Sequence, residues 1–144
     1  MLTQNEQIVV TAADRLRLRQ MIDDLCASLP ASCEPYGSYV RSLEAHLSAM
    51  ATVQQEEVDG DVITMNSKVI LCELDGERRQ ELTLVYPSDA DPFGEKVSAL
   101  TPLGAELLGS RVGDVIEWQS RRGTRRARIE GIVFQPEAAG KFDL

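Results

Sequence analysis

The sequence predicts an α+β protein: a short antiparallel helical hairpin, then an antiparallel β-sheet that carries one short helix. Three observations predict it. Apolar residues recur at helical spacing on both sides of a proline-bearing break within residues 1–60. Runs of β-branched and apolar residues bounded by turn signals fill residues 61–144. One helix-start and helix-stop set, Thr101-Pro102 and Gly109, interrupts those runs.

The helical half starts near Thr11, which with Asp14 forms a capping box with Asp in place of the usual Glu. Leu18, Ile22, Leu25 and Leu29 then recur at spacings of four, three and four, an a/d seam of a short coiled coil. Arg15, Arg17 and Arg19 lie off that seam. Pro30, Pro35 and Gly37 cannot continue a helix, so the chain turns there. Tyr36, Val40, Leu43, Leu47 and Met50 restart the pattern. Two seams of equal length across a short break describe an antiparallel hairpin, residues 1–60. An arm of about 17 residues reaches only about 25 Å.

Residues 61–144 read as a second unit. Val62–Leu74 is the first strand, and Asp75-Gly76 is a strong two-residue hairpin signal. Residues 78–86 return with Leu82, Leu84 and Tyr86 on one face. Pro87, Pro92 and Gly94 mark a loop before a short strand at Lys96–Leu100. Thr101 suits a helix N-cap, Pro102 its first turn, and Gly109 its C′ position, with Leu103, Leu107 and Leu108 on the buried side. Residues 115–119 and 125–135 make a final hairpin. The count is four or five antiparallel strands.

Composition narrows the function classes. With 23 acids against 15 bases the net charge is −8, so a free nucleic acid is not expected as a direct partner and a basic protein surface fits better. No apolar run reaches transmembrane length and the N-terminus lacks secretory features, which points to a cytoplasmic protein without a membrane partner. Cys26, Cys33 and Cys72 read as free thiols. His46, the single histidine, reads as a solvated helix residue, and the chain has no Cys/His set for zinc. Gly104 and Gly109 have P-loop spacing, but Ser110-Arg111 stands where Lys and Ser/Thr are required. Asp89, Asp91 and Gly94 have calcium-loop spacing, but Phe93 and Leu100 occupy ligand positions. No cofactor, metal or small-molecule substrate is therefore expected. Arg121, Arg122, Arg125, Arg126 and Arg128 lack interleaved aromatics and read as a solvated, edge-protecting hairpin. Glu56, Glu57, Asp59 and Asp61 read as a charged linker.

Several motifs in one order carry a family resemblance. Val97–Gly109, then Val112–Val115, then the closing strand to Gln135-Pro136 resemble the C-terminal domain of the Gre-family transcript cleavage factors. Val62–Val69, Leu84–Pro87 and Gln135–Gly140 resemble more specifically the Rnk branch, the regulators of nucleoside diphosphate kinase. The resemblance implies an FKBP-like C-terminal domain that docks on RNA polymerase at the rim of its secondary channel. Gre-type members send a long coiled coil into that channel, where an Asp and a Glu at the tip hold a catalytic magnesium. Rnk-type members have a shortened hairpin and compete with the channel-entering factors without driving cleavage.

Two sites follow from the resemblance. The family contacts a coiled coil of the polymerase just before and at the start of the short helix, which here matches Leu100, Thr101 and Pro102. Leu100 replaces an Asp or Asn and makes that contact more apolar. At the hairpin tip the turn offers Glu34 alone, with Asp23 and Asp24 one to two turns back, so the paired carboxylates of a cleavage factor have no match. The sequence thus reads as a non-enzymatic polymerase-binding regulator. Two alternatives stay open: a peptidyl-prolyl isomerase built on the FKBP-like domain, and a weak cleavage factor using Glu34.

Overall fold

A computed structural model describes residues 8–28, 36–74, 76, 78–91, 95–120 and 123–141. Leu29, Cys33, Glu34, Asp75, Phe93, Arg121 and Arg122 lie outside the described residues, and with them the predicted tip and the Cys26–Cys33 question.

The chain opens with β1 (Val9–Thr11) and α1 (Ala12–Ser28), followed by α2 (Tyr36–Ala49) and β2 (Ala51–Val53). As the sequence predicts, the Thr11 hydroxyl accepts the Asp14 N–H at 3.1 Å and caps α1. The two helices run antiparallel. At the start of α1, the Arg15 guanidinium donates to the Leu47 and Met50 carbonyls, both at 2.7 Å, and satisfies the end of α2 with a positive charge. Leu18 and Ile22 on α1 and Val40, Leu43 and Leu47 on α2 are buried, so the predicted seams do face inward. The sequence pattern did not reveal that β1 and β2 pair in parallel, Val9 with Ala51 through Thr11 with Val53. Strands of three residues are too short to show a period of two.

A five-stranded sheet follows: β3 (Lys68–Glu73), β4 (Arg79–Val85), β5 (Lys96–Ser98), β6 (Val115–Ser120) and β7 (Gly123–Phe134), in the order β5-β4-β3-β7-β6. The sheet is mixed, where an antiparallel one was expected. β5 lies parallel to β4, with Thr83 beside Lys96 and Val85 beside Ser98. Residues 86–95, starting with a 3₁₀ turn at Pro87–Asp89, are long enough to carry the chain back before β5 begins. A second correction concerns 62–67, read as strand. This segment is a buried loop, with Asn66 in the left-handed region at φ 67°. Cross-links replace a ladder there: Asn66 N–H donates to Leu84 O at 2.6 Å, and Ile63 N–H to Ser110 O at 2.8 Å. Val62, Ile63 and Met65 fill the core from a non-repetitive backbone, and their apolar character imitates a strand.

The predicted charged linker is also more fixed than expected. Asp59 and Asp61 both accept from Arg111 Nη1, at 3.2 and 3.0 Å, and Gln135 Nε2 donates to the Asp59 and Val62 carbonyls. One apolar cluster runs from Val10, Leu18 and Leu47 through Met65 and Leu84 to Leu107 and Ile129, so the helices and the sheet share a core.

Buried polar groups reinforce that junction. Asp14 is 1% exposed, and its Oδ2 accepts the Met65 N–H at 3.0 Å. Burial pushes its pKa up to about 6, against the pull of the Met65 bond; the nearby Glu137 charge adds to the rise. Thr64 Oγ1 donates to Glu137 at 2.7 Å on the same side. The buried Tyr86 hydroxyl shares these surroundings, and burial with the Asp14 charge holds its ionisation well above the ordinary range.

Candidate docking groove

The short helix α3 (Pro102–Leu107) organises the candidate site. The Thr101 hydroxyl does two jobs at its start: it accepts the Gly104 N–H at 3.1 Å and donates to Ser98 O at 2.8 Å. Pro102 occupies the first helical turn, where a missing N–H costs nothing. Gly104 lets the helix rest directly on the end of β5, since a Cβ there would meet the Ser98 carbonyl oxygen at 1.9 Å. At the other end Gly109 has φ +83°, and a Cβ would fall 2.8 Å from Val9 O. Both ends of α3 are therefore fixed in position, one on β5 and one on β1.

A groove of about 390 Å³ opens beside this helix. Tyr39, Ser42 and His46 of α2 form one wall, and Glu117, Trp118 and Gln119 of β6 form the other. Leu100, Thr101, Pro102, Ala105 and Glu106 line it from the α3 side. The three residues assigned to docking from sequence thus lie together on one groove. Leu100 is only 3% exposed, so it supports the groove from below; Thr101 and Pro102 are half-exposed at its surface. Glu34, the other residue singled out, lies outside the described residues. Asp23 and Asp24 are exposed on α1.

His46 departs from its predicted role as a solvated residue. It is half-buried, and its Nε2 lies 3.4 Å from the Leu108 carbonyl oxygen, which ties α2 to the end of α3. A carbonyl can only accept, so this contact requires the proton on Nε2. Sequence reasoning also missed Tyr39, Glu106, Glu117 and Trp118 as groove residues. The spacing of Tyr39, Ser42 and His46, three then four, marks one helix face, but nothing local says that this face meets β6. The arginine hairpin is solvated only in part and does not protect an edge: Arg125, Arg126 and Arg128 lie on β7, which pairs with β3 on one side and β6 on the other; Arg125 is half-buried against Glu73, while Arg126 and Arg128 are exposed.

Residues 57–133 match the family described as "Transcription elongation factor, GreA/GreB, C-term". This chain belongs to the GreA/GreB transcription elongation factor family. It is 41% identical over 105 residues to the regulator of nucleoside diphosphate kinase of Escherichia coli K12, covering 72% of this chain and 76% of that one. It is 31% identical over 97 residues to transcription elongation factor GreA of Thermotoga petrophila, covering 67% of this chain and 62% of that protein. Among solved structures, a prokaryotic transcription elongation factor GreA/GreB from Nitrosomonas europaea superposes with a TM-score of 0.70 at 35% identity, covering 89% of this chain and 100% of that one. The GreA/GreB-family chain is thus a homologue of the regulator of nucleoside diphosphate kinase, as the motifs at 62–69 and 84–87 implied. Among its described residues, no helix is long and apolar enough to cross a membrane.

Proposed function

We propose that this GreA/GreB-family transcription factor is a non-enzymatic regulator that binds RNA polymerase at the rim of the secondary channel and excludes cleavage factors from it. One observation carries the reading: the Thr101-Pro102 start of α3, rigidly seated by Gly104, faces an open groove with aromatic side chains on both walls. A prepositioned, partly apolar surface suits protein docking.

The hairpin supports the second half of the proposal. α1 has 17 residues and α2 has 14, so they extend about 25 Å and 21 Å at 1.5 Å per residue. Much of that length packs on the sheet domain, through Leu18, Ile22, Leu43 and Leu47 in the shared core. A prong so placed occupies space at a channel mouth without carrying groups deep inside. Competition by occupancy needs no reacting residue.

The test is co-sedimentation of the protein with core RNA polymerase, followed by competition against a GreA-type cleavage factor. Co-sedimentation with loss of the bound cleavage factor is expected. Undiminished cleavage-factor binding at saturating protein would overturn the reading, and release of short 3′ RNA from backtracked complexes would restore the cleavage alternative.

A further inference from the structure

The arginine run lies on the open face of the sheet, away from the helices. Val69, Leu71, Leu82, Leu84, Ala127 and Ile129 point into the core that sheet and helices share. Side chains alternate along a strand, so the residues between them point the other way. The register agrees: Cys72 lies beside Arg79 and Arg128, Lys68 beside Thr83, and Thr83 beside Lys96. Arg126 shares this face, next to Glu117 of β6. Lys68, Arg79, Lys96, Arg126 and Arg128 are all exposed, so the face is open to solvent.

This face reverses the charge of the protein. The chain carries −8 overall. Here the cations are Lys68, Arg78, Arg79, Lys96, Arg126 and Arg128, against Glu81, Glu95, Glu117 and Glu130. Lys68 neutralises Glu81, and Arg79 neutralises Glu130. Arg78, Lys96, Arg126 and Arg128 engage no side chain among the described residues. The cations off this face differ. Arg15, Arg17, Arg19, Arg41, Arg111 and Arg125 each engage another group of the chain, and Lys141 is the one described exception.

Arg126 and Arg128 stand two residues apart on β7, about 7 Å along the strand, and Arg79 lies two strands across from Arg128, about 10 Å away. Cys72 is half-buried between Arg79 and Arg128. Next to them a hollow of about 870 Å³ opens over half-buried Ile70. Gly131, opposite Ile70, leaves it open, since a Cβ there would meet nothing within 4 Å. The rim of the hollow is mixed, Arg78 and Arg79 against Glu81, Glu95 and Glu130, so it suits an uncharged side chain. The surplus guanidiniums of Arg126 and Arg128 suit carboxylates, which a guanidinium fork binds in pairs.

We propose that the open face of the sheet, centred on Arg126 and Arg128, is a second docking surface that accepts an acidic segment of a partner protein, with an apolar side chain of that segment seated over Ile70. The α3 groove lies on the opposite side of the sheet, so this surface is independent of the docking reading above. A protein segment fits better than a nucleic acid. Tyr86 and Trp118 pack on the core side, and Phe134 stands beside Lys68 at the far end of β7, so bases find no stacking surface near the arginines.

The experiment uses the full chain with Cys26→Ser and Cys33→Ser, which leaves Cys72 as the reporter on this face. The probes are labelled, capped dodecapeptides of glutamate with leucine at every third position, of lysine with leucine, and of glutamate with glycine, together with an oligouridine dodecamer. The expected results are saturable binding of the glutamate–leucine peptide, weaker binding of the glutamate–glycine peptide, and slower thiol modification of Cys72 in the complex. Arg126→Glu with Arg128→Glu should weaken that binding about tenfold or more. Arg19→Glu with Arg41→Glu makes the same change of net charge on the helices and should leave it within about twofold. Circular dichroism identifies a reversal variant that does not fold; Arg126→Gln with Arg128→Gln then decides, with a clear loss expected. Equal binding of the lysine peptide, equal loss in the two reversal pairs, or unprotected Cys72 overturns the proposal. Binding of oligouridine in place of the acidic peptide overturns it in favour of a nucleic acid. Self-association of the unmodified chain that the Arg126 and Arg128 reversals abolish overturns it in favour of a second copy.

Discussion

The carbonyl oxygen of Ser98 lies where a β-carbon on Gly104 would come within 1.9 Å of it. That approach seats α3 on β5 and sets the height of Thr101 and Pro102 at the groove. Gly104→Ala should therefore separate the two elements even though alanine is the better helix former. We expect a loss of about 1–3 kcal/mol in urea unfolding, the range for overpacking a tight contact, with weaker polymerase binding in the same variant. Unchanged stability would show that α3 adjusts freely.

Thr101 links the same helix to the strand through its hydroxyl, bonded to Gly104 N–H and Ser98 O. Thr101→Ala should lower stability by about 1 kcal/mol, as for other lost N-caps. Thr101→Ser retains the hydroxyl and should restore most of it. If polymerase binding follows the hydroxyl and not the γ-methyl, the cap positions the docking surface; if Thr101→Ser binds as poorly as Thr101→Ala, the methyl makes the contact.

Asp14 gives the chain an unusual pH response. Its folded-state pKa of about 6 stands above the ordinary 3.8. Between those values the folded chain holds a proton that the unfolded chain has released. The stability this contributes is fully present below about pH 3.8 and is lost as pH rises through about 6, on the order of 3 kcal/mol for a two-unit difference. Asp14→Asn keeps an oxygen for Met65 N–H but carries no charge. Relative to the unmodified protein, it should become progressively more stable between about pH 4 and pH 6.5 and level off above that. Denaturation curves that shift in parallel across that range would show that Asp14 is not the titrating group.

Arg15 joins the ends of the helical pair. Arg15→Met keeps much of the apolar stem but leaves the Leu47 and Met50 carbonyls without their charged donor. A destabilisation of about 2 kcal/mol is expected, typical of a charge-assisted hydrogen bond at a partly buried site. A change below about 0.5 kcal/mol would mean that water replaces the guanidinium, as at ordinary surface positions.

What the sequence made legible was what is decided locally. Thr11, Thr101, Pro102 and Gly109 hold the cap positions their chemistry predicts, because a cap depends on neighbours three or four residues away. The seams through Leu18 and Ile22 and through Leu43 and Leu47 were readable for the same reason. Long-range choices were not. The parallel placement of β5 depends on where residues 86–95 lead the chain, and the buried loop at 62–67 has a strand's composition without its backbone. Asp14 looked like a capping residue, and its partner Met65 lies 51 positions away. Thr101 and Pro102 could be placed at a site by resemblance, but the groove exists only once α2, α3 and β6 converge, and no pattern within any one of them announces the other two.

The account stands or falls on competition at the polymerase. A labelled GreA-type cleavage factor bound to core RNA polymerase is titrated with the unmodified protein and, separately, with Gly104→Ala. The account predicts that the unmodified protein displaces the factor to completion, that Gly104→Ala needs a clearly higher concentration, and that no 3′ RNA fragment is released from backtracked complexes. Continued full occupancy by the cleavage factor at saturating protein would contradict it.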